Sequence, residues 1–191
     1  MLSSAIPIEK IDVSAYTIPT DGPEADGTYT WRETPIVIVE ARAGGVTGLG
    51  YTYANAATAR LIRESLAKTV EGCDAMSVEA AWWDMLGVVR NIGQPGVTAM
   101  AISGVDNALW DLKGRLLGLP LVTLLGAVRD GVPVYGSGGF TSYSDQRLQD
   151  QLGGWAASGI TRVKMKIGTQ PERDLCRAQV ARRAIGPATQ L

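Results

Sequence analysis

At Val132 the hydrophobic pattern of this 191-residue chain changes period, and that change limits what it can fold into more than any other feature. Beyond it, strand-like and helix-like segments alternate. Val132-Pro133-Val134-Tyr135-Gly136 reads as a short strand, Ser144 to Ala157 as a helix, Thr161 to Ile167 as a strand and Pro171 to Ile185 as a helix. Such alternation marks parallel β/α units, whose crossover helices cover the sheet. Two units are a small part of an eight-unit barrel of about 250 residues, and two parallel strands alone leave long unpaired edges. A domain boundary is expected near Asp130.

Ahead of that boundary the grammar is different. Residues 6 to 18 read as a strand, and Thr34 to Ala43, centred on Ile36-Val37-Ile38-Val39, as a second. Between them Pro19 to Arg32 is rich in Asp, Gly, Pro and Thr and carries Tyr29 and Trp31, so a long lid or binding loop is expected. Ala43-Gly44-Gly45-Val46-Thr47-Gly48-Leu49-Gly50 reads as a hairpin-like turn into a strand ending at Tyr51-Thr52-Tyr53. Its glycines do not fit GxGxxG and no strand-to-helix context follows, which argues against a dinucleotide site.

From Ala56 to about Arg90 apolar residues recur at helical spacing: Leu61, Ile62, Leu66 and Val70, then Ala80, Trp83, Met85, Leu86 and Val89. Ser77-Val78-Glu79 suits a helix start within this stretch. Val97 to Leu117 predicts a longer helix with Ile102, Val105, Leu109 and Leu112 inward, ended by Gly118-Leu119-Pro120 because Gly caps and Pro cannot continue. Trp82, Trp83 and Trp110 sit at helical spacings and are expected in the core.

Composition narrows the chemistry. A hydrophobic content of 46% with 19% charged residues suits a soluble globular protein. The net charge of −1 and the lack of a basic run give no footprint for nucleic acid. No window approaches a membrane-spanning run of about 18 apolar residues, and the start lacks a basic signal-peptide region, so a cytoplasmic location is expected. Cys73 and Cys176 stand far apart, without zinc-type spacing, and read as reduced, partly buried thiols. Histidine is absent. Any base must therefore be Lys, Asp, Glu, Tyr or Cys.

Val163-Lys164-Met165-Lys166-Ile167-Gly168 offers one. In a strand, side chains alternate, so Lys164 and Lys166 share a face while Val163, Met165 and Ile167 line the other. Neighbouring ammonium groups disfavour each other's charge, which can bring one amine toward service as a base near neutral pH. An exposed edge strand wearing lysines against aggregation gives the same pattern.

Taken together, these blocks resemble a known family. The chain resembles the amino-terminal part of the mandelate racemase and muconate lactonizing enzyme branch of the enolase superfamily. The resemblance runs through Gly45 to Gly50, through Ala99-Met100-Ala101-Ile102-Ser103-Gly104-Val105-Asp106-Asn107-Ala108-Leu109-Trp110-Asp111-Leu112-Lys113-Gly114, through Leu119-Pro120-Leu121 and Leu124-Leu125-Gly126, and through Val163 to Gly168. Their order and spacing make it specific.

The resemblance implies an α+β capping domain followed by the first units of a (β/α) TIM-type barrel, incomplete in this chain. Residues 1 to 130 would be the cap and 131 to 191 the truncated start of the barrel, with lid loops near Pro19 to Arg32 and Gly50 to Asn55. It implies removal of the proton next to a small substrate's carboxylate, giving an enediolate held by Mg2+, in an acid-sugar dehydratase or a hydroxy-acid racemase or epimerase; a cycloisomerase is a third branch. Lys166 matches the family's base and Lys164 the lysine that neutralises the substrate carboxylate. Ser137 either hydrogen-bonds that carboxylate or merely forms a turn. Tyr29, Trp31 and Tyr53 are either wall residues of the substrate site or ordinary surface aromatics.

Metal ligands are expected on later barrel strands, so none is assigned in this chain, and the third strand would begin after Ala184-Ile185-Gly186-Pro187. Asp145, Asp150, Glu172 and Asp174 lie on predicted outer helices and read as solvated charges. The 191-residue chain alone is expected to be inactive, and the full-length protein to form a homo-oligomer. The competing reading is a catalytically incompetent fragment or interaction module that lacks the metal site.

Overall fold

The computed structural model describes residues 5–191; the first four residues of the expected cap lie outside the described residues. The chain forms two compact units. One takes in the described part of Met1–Ile18 together with Thr34–Val128, and the other combines Pro19–Glu33 with Arg129–Leu191.

A three-stranded sheet has the order β1 (Lys10–Ala25), β2 (Thr30–Ala43), β3 (Val46–Thr52), with residues 19–25 and 30–33 of the first two strands assigned to the second unit and the rest to the first. β2 and β3 pair antiparallel from Val37↔Thr52 to Ala43↔Val46. The turn between them falls on Gly44 and Gly45, both at positive φ (56° and 74°), where a side chain would be strained. Val37, Val39, Ala41 and Ala43 are buried, while the residues between them are not. That alternation puts one face of the sheet against the helices.

The helices are α1 (Ala56–Leu61), which continues through a π-helical turn (Ile62–Leu66) into α2 (Ala67–Val70), then α3 (Val78–Val89), α4 (Val97–Leu117) and the short α5 (Leu121–Leu125). Asn55 caps α1, its side chain accepting from the Ala57 N–H. Gly118, at φ 65°, closes α4 in the left-handed conformation. Gly48 and Gly50 of β3 set how near α4 lies. A Cβ on Gly50 would stand 2.2 Å from the Gly104 carbonyl oxygen, and one on Gly48 would stand 2.4 Å from that of Ala108. Helix backbone thus rests directly on strand backbone.

The helix start read at Ser77-Val78-Glu79 is where α3 begins, after a break at residues 71–77 in which Gly72 adopts φ 86° and the Asp74 carboxylate accepts from the N–H groups of Ile6 and Met76. Two expectations change here. α3 then buries Val78, Ala81, Met85 and Val89, which leaves Trp83, two residues past Ala81, on the opposite side and 67% exposed. Of the three tryptophans expected in the core, Trp82 and Trp110 pack against it. Cys73 is partly buried as expected, but Cys176 is exposed on a helix flank.

The second unit contains β4 (Gly136–Ser137), α6 (Asp145–Ala157), β5 (Val163–Lys164) and α7 (Pro171–Ile185). β4 and β5 pair parallel, Gly136↔Val163 and Ser137↔Lys164. The helices begin as read, with the Ser144 hydroxyl accepting from the Arg147 N–H and Pro171 in the first turn of α7. Both strands are shorter than predicted, and β4 starts after Val132–Tyr135 rather than within it. The ladder is confined to two residue pairs, and from there single bonds carry the connection: Gly138 N–H to the Lys164 carbonyl and Lys166 N–H to the Gly139 carbonyl. On its other side β5 meets Gln190 through a parallel bridge at Arg162, with Val163 N–H donating to the Gln190 carbonyl. This sheet is not closed.

The expected loop Pro19 to Arg32 is instead mostly strand. β1 runs to Ala25 and β2 starts at Thr30, so only Asp26-Gly27-Thr28-Tyr29 turns. The Asp26 carboxylate accepts from the N–H groups of Thr28 and Tyr29, and the Asp26 N–H donates to the Tyr29 carbonyl at 3.0 Å. An Asp-Gly pair favours such a hairpin turn.

The β3 and α4 contact yields the first prediction. Gly50→Ala should destabilise the protein by about 3 kcal/mol or more, because backbone on both sides must move. Gly87→Ala on α3, where a Cβ meets nothing within 4 Å, should stabilise it by up to about 1 kcal/mol. Urea unfolding of both variants measures the contrast.

Candidate active site

Val163 decides the geometry of β5. It is buried with Leu148 and Leu152 of α6 and Val180, Ala181 and Ile185 of α7, and Met165 packs partly against the same cluster. Alternation then turns Lys164 and Lys166 to the face away from the helices. β4 matches this arrangement. Gly136 and Gly138 lie so close to α6 that an added Cβ would meet Trp155 and Gln151 at 2.2 Å, while Ser137 sits beside Lys164 in register. β5 has a partner on each side at Arg162–Val163, so it is not an edge strand there. Ile167, expected with the apolar face, is exposed past the end of the ladder.

The two amines are unequal. Lys164 is exposed and reaches over the Tyr135 ring, its Nζ 5.3 Å from the centroid. Lys166 is half-buried. Burial, and then the hydrogen bond and charge of Lys164, hold the Lys166 amine below the usual lysine range; the Asp26 carboxylate and the Tyr135 phenol act the other way. Asp26 lies below the usual carboxylate range, chiefly because the Thr28 and Tyr29 N–H groups and the Thr28 hydroxyl bond to it, with a smaller part from Lys166.

The hairpin tip reaches the loops that follow β4 and β5. The Asp26 carbonyl accepts from the hydroxyls of Thr141 (3.1 Å) and Thr169 (2.6 Å), whose oxygens lie 2.8 Å apart. The Thr141 N–H donates to the Ala25 carbonyl at 2.9 Å, and the Ser142 hydroxyl to that of Pro23 at 2.6 Å. At the closest approach a Cβ on Gly27 would stand 2.6 Å from the Ile167 carbonyl oxygen. Trp31 meets Phe140 edge to face at 5.3 Å and donates its indole N–H to Glu24. Tyr29 stacks on Trp31 and is otherwise exposed.

Of the residues singled out from sequence, Lys164, Lys166, Ser137, Tyr29 and Trp31 all fall in this unit. Tyr53 belongs to the other unit, just past β3, and is exposed. Trp31 serves the packing of the hairpin on Phe140. The reading of the outer acids also needs amendment. Asp174 accepts from the Gly168 N–H at 3.0 Å and so fixes the loop after Lys166. Asp145 lies beside Arg173 and the buried Arg177, whose guanidinium donates to the carbonyls of Phe140 and Tyr143. Asp150 and Glu172 are exposed as expected.

Sequence reasoning missed Asp26, Tyr135, Thr141 and Thr169. Tyr135 was within reach, since it precedes Ser137 by two residues and shares its face. Nothing local marks the threonines, whose partner lies more than 110 positions away.

No three His, Cys, Asp or Glu residues gather into a metal-binding group among the described residues. Asp26, the acid near Lys166, is engaged by its own turn. The residues present therefore do not form a magnesium site. No helix among the described residues is long and apolar enough to cross a membrane.

Comparison with known proteins adds family context. Residues 10–126 match the family model for the mandelate racemase / muconate lactonizing enzyme N-terminal domain. The chain is similar to 3,6-anhydro-alpha-L-galactonate cycloisomerase of Streptomyces coelicolor, 33% identical over 94% of this chain and 52% of that protein. A crystal structure of a mandelate racemase/muconate lactonizing enzyme-like protein from Rubrobacter xylanophilus superposes with a TM-score of 0.93 at 56% identity, covering 96% of this chain and 51% of that one. L-talarate/galactarate dehydratase from Salmonella typhimurium, solved liganded with magnesium and L-lyxarohydroxamate, gives 0.84 at 30% identity, covering 96% and 50%. The chain thus spans about half the length of the relatives it matches.

The inequality of the amines can be measured directly. Lys164→Met removes the neighbouring positive charge and hydrogen bond, so the midpoint of Lys166 acylation against pH, followed by mass spectrometry, should move to higher pH.

Proposed function

Because the chain belongs to the mandelate racemase and muconate lactonizing enzyme family, we propose that Lys166 takes the proton next to the carboxylate of an acid sugar or hydroxy acid. The supporting observation is the shared face of Lys164 and Lys166, turned from the helices, with the Lys166 amine held below its usual range. A base must be neutral to accept a proton, so lowering its basicity increases the competent fraction near neutral pH.

In this reading Lys164 keeps its ammonium beside the substrate carboxylate and counters the charge that grows there as the proton leaves. Ser137, next to Lys164 in register, donates its hydroxyl to the same carboxylate. Tyr29 borders the substrate from the hairpin, and Trp31 holds that hairpin in place. Residues up to about 130 are the cap and residues 131–191 the first units of the barrel. Loss of a β-hydroxyl from the enediolate gives dehydration, and return of a proton on the opposite face gives racemisation or epimerisation. Relatives named as dehydratases and cycloisomerases favour an acid sugar as substrate.

Magnesium accompanies relatives of known structure. The described residues hold no group for it, and no step here runs through it. In the whole protein its ligands are proposed to lie outside this chain. The same observation favours a second reading for the 191-residue chain on its own, that of a catalytically incompetent piece or interaction module.

The test is exchange of the substrate's α-proton with solvent deuterium in the whole protein, supplied with magnesium and a panel of acid sugars including galactarate. Lys166→Ala should lower exchange from one face by about 10²- to 10⁴-fold. Lys166→Arg should fail alike, since a guanidinium stays protonated. In the unaltered protein the rate should rise with pH as the Lys166 ammonium gives up its proton. Undiminished exchange in Lys166→Ala would remove it from the mechanism.

A further inference from the structure

We infer that the hydroxyls of Thr141 and Thr169 latch the β1–β2 hairpin tip onto the loops after β4 and β5, and that Asp26 is thereby a positioning residue for Lys166. As a statement about catalysis this rests on Lys166 being the base; as a statement about geometry it does not.

Three observations carry it. Both hydroxyls, one from each loop, lie within hydrogen-bond reach of the Asp26 carbonyl oxygen, which accepts from Thr169 at 2.6 Å and from Thr141 at 3.1 Å, and the hydroxyl oxygens stand 2.8 Å apart, so two protons serve a compact cluster of three oxygens. The backbone of the tip has no slack against its seat, since Gly27 leaves no room for a methyl group before the Ile167 carbonyl, one residue past Lys166. Both loops are themselves braced. Asp174 accepts from the Gly168 N–H, and the guanidinium of Arg177, 5% exposed, donates to the Phe140 and Tyr143 carbonyls on either side of Thr141 and Ser142.

The carboxylate of Asp26 is oriented separately by the turn, through Thr28 and Tyr29. The tip that carries this carboxylate is seated against the Ile167 carbonyl, one residue past Lys166. The groups acting on that amine are Lys164 of its own strand, Asp26 of the hairpin and Tyr135 just ahead of β4. Asp26 is the only acid among these three, and it favours the ammonium form. Its placement tempers the effect of burial and Lys164, and so tunes how readily Lys166 releases a proton. The expected lid is in this light a fixed wall whose position is set by two side chains outside it.

The experiment is a double-mutant cycle on the 191-residue chain itself, read as the pH midpoint of Lys166 acylation. Asp26→Asn keeps an acceptor for the turn and removes the charge, and should move the midpoint to lower pH. In a Thr141→Val, Thr169→Val background, Asp26→Asn should no longer move it, and a Thr141→Ser, Thr169→Ser background should restore the effect. Hydrogen exchange at the Asp26 and Thr141 amides should quicken about tenfold in the valine pair and return toward the native rate in the serine pair.

An Asp26→Asn shift of equal size with and without the hydroxyls overturns the latch, and the absence of any shift in the native background overturns the role of Asp26. Where the valine pair does not fold, Gly27→Ala, which keeps both hydroxyls but displaces the tip, should likewise abolish the Asp26→Asn effect; an undiminished effect there also overturns the proposal. Neither readout uses substrate, so failure of the deuterium-exchange test leaves this result standing, and the reverse holds too.

Discussion

Burial of one side chain, Val163, organises the second unit. A valine placed among Leu148, Leu152, Val180 and Ala181 cannot leave that cluster without exposing apolar surface at a cost of about 25 cal/mol per Å². Strand geometry then leaves its neighbours no choice of side. The two amines are held out of the apolar layer by the same force that holds the helices on. Glycines on β4 reinforce the arrangement, because only a strand without side chains on its helix face can lie so close to Trp155. The placement of the lysines is therefore a by-product of packing on the far side of the strand.

Much of the fold was legible in the sequence because it follows from local rules. The helices from Ser144 and Pro171 start where cap and proline chemistry place them, and α4 ends where Gly118 permits a left-handed residue. Errors arose where one pattern served two outcomes. Trp83 satisfies a helical period but points outward, since the inward set is Val78, Ala81, Met85 and Val89. Pro19 to Arg32 is polar and rich in turn formers, yet most of it pairs as strand, and only Asp26-Gly27 carried the true signal of where the chain reverses. Gly48 and Gly50 read as turn residues, whereas their role is to admit the backbone of α4.

The candidate site was legible only in part, for a related reason. Lys164 and Lys166 are found by alternation within six residues. Asp26 and its two threonines come together from three distant segments, and hydroxyl-to-carbonyl bonds have no sequence period. Asp145 and Asp174 show the opposite failure. They sit on helix flanks where charge is ordinarily solvated, and their placement beside Arg177 and the Gly168 N–H emerges only when the loops are in place.

That dispersal bears on how the molecule assembles. The hairpin is made early in synthesis and its turn can close at once through local bonds, but its anchoring partners lie 115 and 143 residues downstream. Contacts of such sequence separation close slowly, because loop entropy must be overcome before they contribute. A nascent chain therefore carries a finished ribbon with Trp31 and Tyr29 awaiting a surface that does not yet exist, and the interval before Phe140 and Thr169 arrive is when that ribbon is most open to pairing with the wrong chain.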